Sequence, residues 1–237
     1  MKGFKAVFKR EIANYFSSWM GYIVVAAFLV FMGFFFFNGL LETNIADMRS
    51  FFKVLPFVFL FFGPAVAMRL IAEEKKLGSL EILLTLPIRD WEVVLGKFAA
   101  AAVFLLFTLF CTWPMPATAI YLGATDPGPF WSGYFGAFFL GCSFISIGLF
   151  ASSIVKDQVL AFIVGLGISF FIFVMGEPFV SSYFPEWLSW FMMKASLGYH
   201  FTAMGRGVVD TRDVVYFLCL IGFFLYLSTM SLTARKW

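Results

Sequence analysis

Apolar runs separated by short clusters of charge, proline or glycine organise the chain. They fall at residues 19–41, 51–72, 92–122, 130–154, 159–175 and 214–233. Each approaches or exceeds the ~18–20 apolar residues that cross a hydrocarbon core about 30 Å thick. The pattern predicts an all-α membrane protein with six transmembrane helices, organised as one domain over residues 1–237. Pro56, Gly63 and Pro64 predict kinks in the second span, tolerable where neighbouring helices satisfy the freed carbonyls. The third run is longer than a bilayer needs, and Pro114 and Pro116 predict a bend in it. The segment 123–129, rich in Gly and Pro, reads as a turn.

Two stretches have a different rhythm. Over residues 1–18, Phe4, Phe8, Ile12 and Tyr15 recur at helical spacing with Val7 beside them, while Lys2, Lys5, Lys9 and Arg10 fall on the other side. This predicts a helix lying in the membrane interface with its basic face toward anionic headgroups; an ordinary basic tail is the alternative. A basic start before an apolar run also resembles a secretory leader. Glu11 and Asn14 interrupt it, the run is long, and no small-residue cleavage site closes it, so an uncleaved first span is expected. Residues 177–213 mix Pro178, Pro185, Trp187, Trp190, Tyr183 and Tyr199 with scattered charges. They predict short interfacial or re-entrant helices carrying an aromatic belt outside the membrane.

Composition agrees with the runs. Of 237 residues, 62% are hydrophobic and 13% charged, against about 25% charged in an average soluble domain. The formal net charge of +3 is small and excludes a nucleic-acid-binding face as the main theme. The basic residues sit instead at the ends of apolar runs. With both termini inside, the inner segments carry Lys2, Lys5, Lys9, Arg10, Arg69, Lys75, Lys76, Arg89, Lys97, Lys156, Arg235 and Lys236. That is 12 of the 17 basic residues, and the positive-inside rule then places both termini in the cytoplasm.

Catalytic and metal chemistry find little support. Cys111, Cys142 and Cys219 each lie inside an apolar run without a pairing motif. His200 is the single histidine and has no second ligand at metal spacing, so it reads as an interfacial polar residue. Glu177 and Glu186 flank turns and read as interfacial charges. No G-x-x-x-x-G-K-[ST] phosphate loop occurs, so by that route the chain does not hydrolyse ATP. Catalytic, cofactor and metal residues are therefore expected to be none. Few ionisable residues fall mid-span, which disfavours a proton-relay transporter.

The longest charged stretch, between the second and third spans, is the most informative. In it Gly78 permits a sharp turn, Ser79 suits an N-cap and Glu81 the first helical turn. Leu80, Leu83 and Leu84 form an apolar face, and Pro87 ends the helix. A short amphipathic helix is thus expected within a loop spanning 73–90. A plain solvated connection is the alternative, but it would not need this spacing.

The pattern Glu74-x-x-x-Gly78-Ser79-x-Glu81-x-Leu83-Leu84-x-x-Pro87 resembles the hallmark of ABC-2 type ABC transporter permeases. In that family it forms the cytoplasmic coupling helix that docks into the ATPase subunit. The resemblance implies that Glu73, Glu74, Gly78, Ser79, Glu81, Leu83, Leu84 and Pro87 contact the ATPase. The stretch from Trp91 to Lys97, and the late segment from Ser196 through Tyr199, His200, Arg206 and Asp210 to Asp213, resemble the gliding-motility-associated (GldF-like) permeases and the related nitrous-oxide-reductase maturation permease. The resemblance covers essentially the whole chain. It implies a multi-pass subunit of the bacterial inner membrane, two ATPase copies holding ATP and Mg, and a second permease subunit, identical or not. Export is the expected activity. The alternative is mechanotransmission, in which the same device drives an extracytoplasmic accessory protein at the segment 177–200 and nothing crosses.

Overall fold

The computed structural model describes residues 2–43, 48–79, 88–123 and 128–234. Among these residues the chain is helical apart from short turns and contains no strand. The described residues form twelve helices in order: α1 (Lys2–Ser17), α2 (Trp19–Thr43), α3 (Met48–Ala67), α4 (Arg69–Lys76), α5 (Asp90–Cys111), α6 (Pro114–Tyr121), α7 (Gly128–Ile154), α8 (Gln158–Val174), α9 (Pro178–Ser181), α10 (Glu186–Ala195), α11 (Leu197–Gly205) and α12 (Thr211–Thr233).

Among the described residues five stretches are long and apolar enough to cross a membrane: Trp19–Leu41, Phe51–Lys76, Asp90–Tyr121, Gly128–Ile154 and Thr211–Thr233. The fifth apolar run forms α8, whose 17 residues reach about 25 Å at 1.5 Å per residue, short of the ~30 Å core. The exposed surface fits an apolar solvent. Phe34 on α2 is 63% exposed and Phe171 on α8 69%, with many other large side chains similarly bared. In water such a surface would be an extended apolar patch, whereas against lipid it is at rest.

The buried centre is α7. Phe144, Ile145, Ile147 and Leu149 are fully buried in it, and α3, α5, α8, α11 and α12 pack around it. The α3–α7 crossing is close because small residues face each other there. A Cβ on Gly63 would lie 2.4 Å from Phe144 Cβ and 3.0 Å from Phe144 C, and one on Gly148 would lie 3.0 Å from Pro64 Cα.

Two expected single spans are divided. The second run breaks at Met68 between α3 and α4. One hydroxyl fills the break: Ser152 Oγ of α7 accepts from the Ile71 N–H (3.1 Å) and Ala72 N–H (2.9 Å) and donates to the Met68 carbonyl (2.9 Å). A serine oxygen has two lone pairs and one hydrogen, so its capacity is fully used. The third run breaks at Thr112–Trp113, and Pro114 opens α6, a position where its missing N–H costs nothing. Residues 178–205 form three short helices, as their mixed composition predicts.

Candidate functional site

Lys97 closes the second turn of α5 inside the run Val93 to Phe104, and it is 1% exposed. A lone ammonium buried this deeply would cost several kcal/mol, so it requires partners. Two carboxylates supply them. Glu11 Oε1 of α1 lies 2.7 Å from Lys97 Nζ, and Glu74 Oε2 of α4 lies 2.9 Å away. The first contact is a hydrogen bond. The second is out of line for one, so charge alone holds it. Arg10 Nη2 reaches Glu74 Oε1 at 3.5 Å from the exposed side. Two cations and two carboxylates thus balance, and they join three elements separated by 63 and 86 residues of chain.

Packing sets this geometry. α1 folds back along the first half of α5, where a Cβ on Gly96 would sit 3.1 Å from Val7 Cβ. Val7, Glu11 and Tyr15 make its buried stripe, at the i, i+4, i+8 spacing of one helix face. Tyr15 stacks on Phe104 at 4.7 Å and donates its hydroxyl to the Val66 carbonyl at 2.9 Å. Burial first, and the Glu11 charge second, hold its phenol well above the usual range. Phe4 and Phe8 stack at 5.9 Å and are half-buried, as is Ile12. The apolar face of α1 is therefore spent largely on the protein itself.

A cleft of about 320 Å³ opens between α1 and α4 above this cluster, lined by Arg10, Glu11, Asn14, Arg69, Glu73 and Glu74 among others. Arg69 donates across it to Ser18 Oγ at 3.2 Å. The far side of α4 is anchored as well. Lys75 Nζ donates to the Ser153 carbonyl, which also accepts from Ser231 Oγ at 3.0 Å. Lys76 pairs with Asp157 at 3.3 Å. Asp157 also accepts from the Val159 and Leu160 N–H groups as the N-cap of α8. Those bonds, the Val159 N–H foremost and Lys76 next, hold its carboxyl below the ordinary range.

Of the expected contact residues, Glu73 is half-buried on the cleft wall. Glu74, expected to contact the ATPase, is 8% exposed and paired with Lys97 and Arg10 within the chain. Gly78 ends α4 at φ +71°, its N–H bonded to the Lys75 carbonyl at 3.3 Å; this left-handed turn is the one its position predicts. Ser79 Oγ makes a long 3.4 Å bond back to the Glu74 carbonyl. Glu81, Leu83, Leu84 and Pro87 lie outside the described residues. In the sequence neither Lys97 nor Glu11 stands out as a site residue. The available signals were a lysine five residues into an apolar run, and a glutamate on the same helical face as Val7 and Tyr15.

At the opposite end of the bundle, His200 of α11 is buried. Its Nδ1 lies 2.6 Å from Asp213 Oδ1, its Nε2 2.9 Å from the Lys194 carbonyl, and its ring stacks on Tyr216 at 4.0 Å. A carbonyl only accepts, so Nε2 carries a hydrogen. This clamp ties α10 and α11 to α12. Among the described residues no three His, Cys, Asp or Glu side chains gather as metal ligands.

A search of curated proteins finds no match to the chain. A family comparison does: residues 5–189 match the family described as ABC-2 family transporter protein. The match takes in α1, α4, α5, α7 and the whole charged cluster. It covers 185 of the 237 residues, and with it the chain belongs to the ABC-2 family, as a multi-pass membrane permease subunit of an ABC transporter that works with an ABC ATPase and is not itself that ATPase.

Proposed function

We propose that this chain is an exporter half in which α4 and the segment 80–87 receive the push of the ATPase, and that the Lys97 cluster hands that push to the membrane helices. The observation that carries the reading is the double grip of Lys97 on Glu11 and Glu74. Because three residues separate α4 from 80–87 and two separate 80–87 from α5, a force on the segment reaches both helices and α1 at once. In this reading Glu73, Gly78, Ser79, Glu81, Leu83, Leu84 and Pro87 belong to the coupling loop 73–90, and Glu74 acts from inside as its tie to Lys97. Phe4, Phe8, Ile12 and Tyr15 seat α1 where the interface meets α5.

The assembly we infer has two ATPase subunits carrying ATP and Mg, and a second permease subunit, identical or different. It sits in a bacterial inner membrane with six spans, α8 included, and both termini cytoplasmic. The stretches 91–97 and 196–213 favour the GldF-like group.

The test is Leu84→Asp, which places a charge in the apolar contact expected with the ATPase. A buried unpaired charge costs far more than a surface ion pair contributes, so the variant should insert normally yet purify without the ATPase. Glu92→Gln serves as control and should keep it. Retention of the ATPase by Leu84→Asp at wild-type stoichiometry and coupling would refute the reading.

A second reading is favoured by α10, none of whose residues is buried and whose Trp187 is 73% exposed. Here the same push drives an accessory protein docked on 177–200, and nothing is translocated. ATP hydrolysis stimulated by that accessory protein, and by no small molecule, would support it over export.

A further inference from the structure

The start of α3, the end of α8 and the end of α11 enclose a cleft of about 360 Å³, at the small end of ligand-site volumes. It lies about 20 Å along α3 from the Met68 break. Lys53 stands in the second turn of α3, Glu177 three residues beyond α8, and Arg206 at the C-cap of α11. Lys53 and Arg206 are exposed and Glu177 half-buried. Among the described residues none of these three side chains makes a salt bridge. Two cations and one carboxylate therefore line one cleft without neutralising each other.

The other wall is aromatic. Phe57 meets Phe173 edge to face at 5.2 Å, and Phe52 meets Phe201 at 6.5 Å. Phe57 lies one helical turn deeper than Lys53 along α3 and is 54% exposed, so the apolar end of the cleft opens sideways toward lipid. The charged groups sit near helix ends and the rings lie a turn or so further along the helices, the order in which a bilayer presents headgroup and hydrocarbon. A purely anionic ion would find no use for the rings, and a purely apolar guest none for the charges.

We infer that this cleft binds one zwitterionic phospholipid of the phosphatidylethanolamine class. Its phosphate bridges Lys53 and Arg206, its ammonium pairs with Glu177, and the upper acyl chain lies on Phe57 and Phe173. Arg and Lys both suit phosphate oxygens, and the carboxylate supplies the selectivity, since phosphatidylglycerol in the same place offers it no cationic partner. The site depends neither on the ATPase nor on which leaflet it faces, so it stands apart from the function proposed above.

The test is native mass spectrometry of the delipidated full-length permease, titrated separately with phosphatidylethanolamine, phosphatidylglycerol and water-soluble glycerophosphoethanolamine. Phosphatidylethanolamine should bind best and the chain-free headgroup poorly. Lys53→Ser with Arg206→Ser should weaken phosphatidylethanolamine by at least about tenfold, the scale of lost charge-assisted hydrogen bonds. Glu177→Gln keeps both cations, so it should bind lipid normally while losing the preference over phosphatidylglycerol. This second variant decides the matter should the double variant fold poorly. Unchanged selectivity in Glu177→Gln, or glycerophosphoethanolamine binding as tightly as the lipid, overturns the proposal.

Discussion

At the scale of the residue, Lys97 shows how much a membrane protein stakes on one buried charge. Removing one member of a buried ion pair typically costs about 3–5 kcal/mol, because the survivor keeps its desolvation penalty and loses its partner. Lys97→Met leaves Glu11 and Glu74 buried and facing each other, so a loss of that order is expected in denaturant unfolding of the detergent-solubilised protein. The triple variant Lys97→Met, Glu11→Gln and Glu74→Gln should recover most of it, since no charge is then stranded. Additive losses across the three sites would show that they do not act as a unit. Asp157 is the contrasting case, a half-exposed carboxylate whose folded pKa is depressed. Its contribution is present above the ordinary carboxylate range and fades as pH falls through the lowered folded value. Hydrogen exchange in the first turn of α8 should accelerate over that acid window in the wild type. In Asp157→Asn the acid dependence should vanish; its persistence would place the titrating group elsewhere.

At the scale of the element, Gly78 isolates backbone from packing. A Cβ there would meet nothing within 4 Å, so the cost of Gly78→Val is conformational only. A left-handed residue costs roughly 1–2 kcal/mol in L-amino acids, less for Asn. Gly78→Val should therefore loosen the end of α4, read as faster exchange over residues 73–79, while Gly78→Asn stays near wild type. Equal behaviour of the two would mean that the turn is not held at positive φ. Gly78 was legible in the sequence because a turn residue beside a charged helix end has a local signature. Five of the six expected spans were legible for the same reason, since nothing distant decides whether Phe34 can face lipid. The tie of Glu11 to Lys97 was not, because it rests on α1 folding back over α5 across 86 residues of chain. Nor was the inward tie of Glu74 to Lys97, since the loop pattern offers Glu74 only as an ATPase contact. The breaks at Met68 and Thr112 were half visible: prolines marked the neighbourhood, but the hydroxyl of Ser152 that fills the first comes from another helix.

At the scale of the whole molecule, the charged ends divide the bundle. Lys75, Lys76, Lys97, Lys156 and Asp157 belong to one end, with α4 and the turn after α7, while α9 to α11 occupy the other. The proposed topology assigns twelve of the seventeen basic residues to the first side. Single cysteines placed at Lys75 and Lys156 should resist impermeant thiol reagents in intact cells, and one at Glu186 should react. Labelling at position 75 from outside would invert the arrangement and with it the side from which the ATPase is reached.

The close crossing of α3 and α7 has a mechanical side. Gly63 and Gly148 bring the two backbones nearest about midway along the rod formed by α3 and α4, with some 15 residues of helix toward Met48 and 13 toward Lys76. At 1.5 Å per residue the two arms measure about 22 and 20 Å. A rod pivoted near its middle behaves as a seesaw of nearly equal arms. With the break at Met68 held by the Ser152 hydroxyl so that the two helices turn as one, a small tilt about that crossing moves Lys76 and Met48 in opposite senses by nearly equal amounts, and Lys53, a turn and a half from Met48, travels with it.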